Sequence, residues 1–426
     1  QTMEYGVGVI GAGTVGGGVI EILTANRDVI SDKTGASVTL RHVAELKDEL
    51  LAGLDLSGVT VSKDASALIA DPQVHVVCEL IGGLEPARRF ILEALRAGKH
   101  VVTANKMLLA THGPELVEAA VQHGVELRFE AAVAGAVPII KALRESLAAN
   151  RIEGIYGILN GTCNYILSRM TYEGLEFEET LNQAIANGFA ETPPDLDILG
   201  HDTAHKCQIL ASLAYSTRID LNAIPVEGIT SITHLDVAYA REMGYIIKLL
   251  AIIREVDGSI EARVHPALIP ESHLLAAVRN EFNGIYVKSD CADATLYYGR
   301  GAGRKPTASA VVGDIVDIAR NKGCAPFKPF TYSRNLAIRD IGLAEGCYYL
   351  RLTTEDHPGV LGRVCSTLGK HGVSIASCIQ KNQGDQEPVH VVLMTHATVE
   401  SAIKAALSEI DGFDCIAEPT QFLRVF

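Results

Sequence analysis

The sequence predicts an α/β protein: a Rossmann-type doubly wound sheet, then an α+β domain, then a small ferredoxin-like domain. Three observations lead there. A short apolar run, Tyr5–Ile10, passes directly into Gly11-x-Gly13-x-x-Gly16 and a helical stretch. Strand-like and helix-like segments then alternate up to about residue 135. From residue 347 the pattern restarts as β-α-β-β-α-β.

Each element has a local reason. Tyr5–Ile10 and Val38–Ala44 read as the first two strands, and Val74–Ile81 as a buried strand ending at Gly82-Gly83. Pro86–Ala97 is helical and stops at Gly98, His100–Ala104 is a strand, Glu115–Gln122 a helix and Val125–Glu130 a strand. In the mixed middle, Pro138–Ala149, Phe177–Asn187 and Asp202–Ser212 read as helices. Arg151–Leu159, Ala262–His265 and Asn283–Val287 read as strands. Ala308–Arg320 is a long helix expected to return to the first domain. In the tail, Tyr348–Thr353, Ser374–Gln380, His390–Thr395 and Ile416–Val425 are strands, and Val360–Lys370 and Glu400–Glu409 are helices. The 380–390 segment is polar and expected to be mobile.

Composition bounds the function. With 426 residues, 48% hydrophobic and 21% charged, the chain has enough apolar content to fold as several domains. A net charge of −14 argues against nucleic acid or an anionic membrane as the main partner. No apolar run approaches the roughly 18 residues of a membrane span, so none is expected. Nine scattered cysteines without a Cys-x-x-Cys argue against a disulfide framework and for a reducing, cytoplasmic setting.

The motifs carry the chemistry. In a strand-turn-helix context, Gly11, Gly13, Thr14, Val15 and Gly16 form a turn where a pyrophosphate meets backbone N–H groups at a helix N-terminus. Glu45, after the second strand, is placed to meet the free ribose of NAD, whereas Arg41 and Lys47 nearby suit a 2′-phosphate, so the choice between NAD and NADP stays open. Thr103-Ala-Asn-Lys106 follows a strand end, where ligands of open sheets bind, and its plain alternative is a surface lysine opening a helix. The densest cluster runs from Gly188-Phe-Ala-Glu191 through Asp195 and Asp197 to Asp202 and Lys206. Asp202 and Lys206 stand one helical turn apart, a lysine-carboxylate arrangement suited to proton transfer or to a simple salt bridge. His201-Asp202-x-x-His205 also resembles a zinc-binding helix, although no third ligand is evident. Asn160-Gly161-Thr162-Cys-Asn-Tyr165 offers N–H groups and a hydroxyl to a carboxylate, or simply uses Thr162 as a helix N-cap.

Taken together, Gly11-x-Gly13-x-x-Gly16, Glu79-Leu-Ile-Gly-Gly83, Thr103-Ala-Asn-Lys106, Asn160-Gly-Thr-x-Asn-Tyr165 and the Gly188-to-Lys206 cluster resemble homoserine dehydrogenase, and the tail resembles an ACT domain. The resemblance implies a dinucleotide domain at 1–135 with a returning helix at 308–330. It further implies a catalytic and dimerisation domain at 136–307, a linker at 331–346 and an ACT regulatory domain at 347–426. It implies interconversion of L-homoserine and L-aspartate 4-semialdehyde with NADP or NAD, in threonine, methionine and isoleucine biosynthesis. Lys206, Lys106 and Asp202 are the implied catalytic residues, and Glu191, Asp197, Gly161 and Thr162 the implied substrate ligands. Gly11, Gly13, Thr14, Val15, Gly16, Glu45, Thr103 and Lys106 would meet the cofactor. Glu130, Val133, Gly135 and Val137 match a loop that holds a sodium ion. In the tail, Asp356, Gly359, Val360 and Leu361 match an effector turn, with threonine the expected effector and a homodimer or homotetramer the expected assembly. Two positions depart from the family pattern. Arg300 stands where proline is usual, and the arginine of NADP-type members near Glu45-Leu46 is missing, so NAD is expected at least to be tolerated.

Overall fold

The computed structural model describes residues 4–190, 192–321, 326, 328, 330–381 and 388–426. Glu191, the 322–325, 327 and 329 part of the expected 308–330 return, and the 382–387 part of the polar 380–390 loop lie outside the described residues. The chain forms two compact units. The first comprises Gln1–Gly161, Ala204–Ala223 and Phe282–Leu336, and the second Thr162–Thr203, Ile224–Glu281 and Ala337–Phe426.

In the first unit, β1 (Glu4–Ile10), β2 (Ser37–Ala44), β3 (Thr60–Ser62), β4 (Val76–Glu79), β5 (His100–Thr103) and β6 (Leu127–Arg128) form one sheet in the order β3-β2-β1-β4-β5-β6. Every neighbouring pair is parallel. Val7, Val9, Val76, Val101 and Val102 are buried, as strands covered on both faces require. The chain winds outward from β1 in one direction and from β4 in the other, so the crevice for a ligand opens at the carboxyl ends of β1 and β4. The Arg304–Arg320 helix joins the core of this sheet: Ala308, Val311 and Ile315 belong to the same apolar cluster as Val9, Val19 and Ile20. It starts four residues earlier than its periodicity suggested, at the Gly303 cap. A Cβ at Gly18 would lie 2.7 Å from the Arg304 carbonyl, so the Gly16-Gly17-Gly18 run admits this helix as well as the cofactor turn. The same unit carries the antiparallel strands Ile152–Ile158, Phe282–Ser289 and Asp293–Arg300.

Three expected elements change. The Pro138–Ala149 helix is α-helical only over Ile139–Lys141 and continues as a π-helical segment over Ala142–Ser146. The Val125–Glu130 strand contracts to two residues, because the Glu130 N–H donates to Asp314 Oδ2 (2.8 Å) and leaves the ladder, and Glu130 opens a 3-10 turn. The helix expected from Glu115 runs Lys106–Gln122 and passes through Pro114. Asn105 caps it, its Oδ1 accepting from the Leu108 N–H at 3.1 Å.

In the second unit a long hairpin pairs Tyr245–Val256 with Ser259–Pro270 through the left-handed Asp257-Gly258 turn. The tail folds as expected. Strands Tyr348–Thr354, Ile375–Gln380, Val389–Thr395 and Ile416–Val425 pair antiparallel, and the helices Val360–Lys370 and Glu400–Ile410 contribute to one apolar cluster with them. The last strand also continues onto the hairpin, with Arg424 and Val425 parallel to Ala267 and Leu268.

Candidate active site

The glycine turn has the form a dinucleotide requires. Gly11 takes φ +91°, where a side chain is strained, and its N–H donates to the Ala44 carbonyl (2.9 Å). A Cβ at Gly16 would lie 1.8 Å from the Gly11 carbonyl, so only glycine lets the Thr14–Ala25 helix start this close to the strand. Gly13 caps that helix without a side-chain partner, and a Cβ there would meet nothing within 4 Å. The first-turn amides thus face open space, which fits a pyrophosphate. Glu45 reaches back to this turn: its Oε2 accepts from the Ala12 N–H (2.6 Å) and its Oε1 from the Lys47 N–H (2.9 Å).

Glu79, which sequence reasoning quoted in a motif but gave no role, ties the next two strand ends together. It is fully buried at the end of β4. Its Oε1 accepts from the N–H groups of Ile81 (3.0 Å) and Gly82 (3.1 Å), and its Oε2 from the Thr103 hydroxyl (2.8 Å). Asn105 Nδ2 donates to the Gly83 carbonyl at 2.7 Å. Thr103 therefore serves the Glu79 carboxylate, and Lys106 opens its helix from a cap held by the same knot.

Lys206 lies in the His201–Tyr215 helix with only 8% of its surface exposed, and its ammonium donates to the Leu159 carbonyl at 2.7 Å. Asp202, buried as well, stands one turn earlier on that helix. In the second unit the structure joins two motifs far apart in sequence. The Thr162 hydroxyl donates to the Phe189 carbonyl, Cys163 Sγ lies 3.2 Å from the Asp197 carbonyl, and the rings of Tyr165 and Phe189 are 4.8 Å apart. Thr162 is accordingly not the helix N-cap. It is the second residue of the Gly161–Glu173 helix, and its side chain is spent on the neighbouring motif. Glu191 lies outside the described residues. Among the described residues no group of three or more His, Cys, Asp or Glu is arranged to hold a metal, so the helix bearing His201 and His205 gathers no zinc ligand set.

The loop bearing Glu130, Val133, Gly135 and Val137 is pinned in the first unit. Ala134 and Gly135 take successive left-handed conformations (φ 57° and 51°). The Ala136 N–H donates to the Arg300 carbonyl (3.0 Å), and a Cβ at Gly135 would lie 2.6 Å from the Gly301 carbonyl. Arg300 thus contributes its backbone here, while its guanidinium lies 5.0 Å from the Phe282 ring centroid. The Glu130 carboxylate accepts from the Ile140 and Lys141 N–H groups (2.9 and 2.8 Å), and burial pushes its pKa up to about 7. What the loop could offer a cation is backbone carbonyl oxygen; those of Glu130 and Val137 each already accept one N–H, from Val133 (3.4 Å) and Ile139 (2.8 Å), and keep a second lone pair. In the tail, Gly359 (φ +95°) caps the Val360–Lys370 helix with no side-chain cap bond, and Val360 and Leu361 form its first turn.

The family model for the homoserine dehydrogenase NAD-binding domain matches residues 11–130, that for homoserine dehydrogenase residues 138–316, and that for the ACT domain residues 348–413. A homoserine dehydrogenase of Neisseria gonorrhoeae is 44% identical, covering 98% of both chains. The chain belongs to the homoserine dehydrogenase family. A homoserine dehydrogenase of Pseudomonas aeruginosa is 40% identical, again over 98% of each chain. The crystal structure of a homoserine dehydrogenase from Thiobacillus denitrificans superposes with a TM-score of 0.92 at 41% identity, covering 100% of this chain and 98% of that one. As a homoserine dehydrogenase the protein is an oxidoreductase with a nucleotide-binding Rossmann sheet, a mixed catalytic domain and a C-terminal ACT domain. No helix among its described residues is long and apolar enough to cross a membrane.

Proposed function

We propose that this enzyme interconverts L-homoserine and L-aspartate 4-semialdehyde by direct hydride transfer, with Lys206 as the principal acid-base group. The observation that carries the reading is the placement of Lys206: nearly buried, held by the Leu159 carbonyl, and one turn from a buried Asp202 on the same helix. The Gly11–Gly16 turn would hold NAD(P), which when bound would supply or accept the hydride. Lys206 holds the proton that moves at the substrate oxygen, Asp202 orients that lysine, and Lys106 assists from the Glu79-braced strand end. The backbone N–H groups of Gly161 and Thr162 hold the substrate carboxylate, the Thr162 hydroxyl being bonded to the Phe189 carbonyl, and Glu191 and Asp197 hold the amino group. A sodium ion on the carbonyls of Glu130, Val133, Gly135 and Val137 would stiffen the loop that abuts Gly301.

The domain division at 1–135, 136–307 and 347–426 belongs to the same reading. So does feedback inhibition by threonine at the Asp356–Leu361 turn between paired ACT domains of a dimer or tetramer, in the biosynthesis of threonine, methionine and isoleucine. A cytoplasmic location is supported by the eight described cysteines, none of which is in a disulfide. Glu45 supports tolerance of NAD. One assay tests the activity, the cofactor choice and the effector: absorbance at 340 nm with homoserine and each cofactor, with and without threonine. Reduction of both cofactors and inhibition by millimolar threonine are expected. No reduction with either cofactor overturns the activity, a kcat/KM with NADP+ comparable to or better than that with NAD+ overturns the Glu45 argument, and indifference to threonine overturns the effector.

A further inference from the structure

Lys248 lies within the Tyr245–Val256 strand of the second unit and is fully buried, with 0% exposure. Its ammonium donates to Asn164 Oδ1 (3.0 Å) and to the Val278 carbonyl. Among the described residues it forms no ion pair with a carboxylate, and the charge that bears on it is another cation, Arg279. Burial and that neighbour pull its pKa down to about 7. Burying a cation without a counter-ion is costly, and an apolar side chain of the same size would pack there more cheaply.

The partners of Lys248 suggest a use. Asn164 sits in the first turn of the Gly161–Glu173 helix, two residues after Thr162. Its Nδ2 donates to the carbonyls of Val278 (3.2 Å) and Asn280 (2.8 Å). The Asn280 N–H donates to Ser168 Oγ (3.0 Å), one turn further along the same helix. Lys248 and segment 278–280 therefore grip the start of this helix at two successive turns. A cation at a helix N-terminus also opposes the macrodipole, and an anion bound at that end relieves both penalties.

We propose that Lys248 is a positioning residue for the substrate carboxylate: acting through Asn164, it fixes the first turn of the helix that presents Gly161 and Thr162. This rests on the reading of Gly161 and Thr162 as the carboxylate site. The test uses the full-length enzyme with Lys248→Met, a side chain of similar length. The expected result is a homoserine KM raised about 10-fold or more, with kcat within about 3-fold and the cofactor KM unchanged. A homoserine KM within about 2-fold of the parent overturns the proposal even if the melting temperature falls, because a merely structural lysine alters the amount of folded enzyme and not its KM. Should Lys248→Met fail to fold, Asn164→Ala breaks the link from the helix side and is judged by the same KM. Thr162→Pro, which removes the backbone N–H, read against Thr162→Val, which removes only the hydroxyl bond to the Phe189 carbonyl, separates the two levels. An unchanged homoserine KM in Thr162→Pro overturns the carboxylate reading and this proposal with it. A raised KM in Thr162→Pro beside an unchanged one in Lys248→Met overturns the lysine's role alone.

Discussion

Arg351 and Asp236 form a closed, buried ion pair in the second unit: the guanidinium Nε lies 2.6 Å from Asp236 Oδ1, and a terminal nitrogen lies 3.2 Å from Oδ2. The same carboxylate accepts from the Tyr349 hydroxyl (3.0 Å) and caps its own helix through the Thr233 N–H (3.0 Å) and hydroxyl (2.8 Å). One side chain from the segment matched by the catalytic family model thus holds two from the first strand of the ACT segment. Burial first, and then the Asp236 charge, push the Tyr349 phenol far above its usual pKa. Removing one partner leaves a buried charge unpaired, which costs about 3–5 kcal/mol. Arg351→Met is expected to lower urea stability by about that amount, and Tyr349→Phe by about 1 kcal/mol. An Arg351→Met chain within about 1 kcal/mol of the parent would contradict this account.

Gly13 and Gly16 are expected to separate binding from folding. Gly16→Ala forces a Cβ to within 1.8 Å of the Gly11 carbonyl, so the turn must break, and the melting temperature should fall along with activity. At Gly13 a Cβ meets only open space. Gly13→Ala should therefore keep the melting temperature within a few degrees while weakening cofactor binding about 10-fold or more, because the added methyl enters the path of the pyrophosphate. Thermal melts and cofactor titrations of the two variants check this. Equal losses of stability in both would contradict it.

The Glu79 knot predicts a third outcome. Glu79→Gln keeps the shape but sets an NH₂ donor where four donors now converge on one carboxylate. It should destabilise the chain by about 1–3 kcal/mol and raise the cofactor KM, since Thr103 and the cap before Lys106 lose their common acceptor. Steady-state kinetics with saturating homoserine reads the KM. A normal KM would confine Glu79 to stability.

His265 predicts a pH effect on folding. It is fully buried with Arg424 and Arg263 nearby, and burial first, then those two charges, hold its pKa well below the ordinary 6.5. Its Nδ1 bonds the Pro266 carbonyl (2.9 Å) and its Nε2 faces Arg263 (3.3 Å), the pattern of a neutral ring that donates at one nitrogen and accepts at the other. Below pH 6.5 the unfolded chain binds a proton that the folded chain refuses, so this contribution to stability is present above 6.5 and is lost as pH falls. Urea denaturation at pH 7.5 and 5.5 should show a smaller drop in His265→Gln than in the parent. Equal drops would remove His265 as a cause.

How much of this was legible in the sequence depended on the range of the interactions. The Gly11–Gly16 turn was legible because a positive φ and a close approach demand glycine at fixed local spacing. The tail was legible because its strands and helices are bounded by turns and its two helices are amphipathic. The hairpin was largely missed. Tyr245–Val256 is buried on both faces through most of its length and so shows no alternation, and of the second arm only Ala262–His265 reads as a strand. Pro114 hid half of a helix that Asn105 caps from the other end. The link from Glu79 to Thr103 and the burial of Lys248 against Asn164 carried no local signal, because those partners lie 24 and 84 residues away. The joining of Thr162 to Phe189 and of Cys163 to Asp197 could likewise be read only from the fold.

The central claim is that Lys206 moves the proton at the substrate oxygen, and the kcat of Lys206→Ala tests it most directly. Single-turnover and steady-state rates should fall together by roughly two to four decades, the scale of a positioned acid-base group, with the cofactor dissociation constant unchanged. A variant that folds, binds cofactor and keeps kcat within about 3-fold of the parent would contradict the claim.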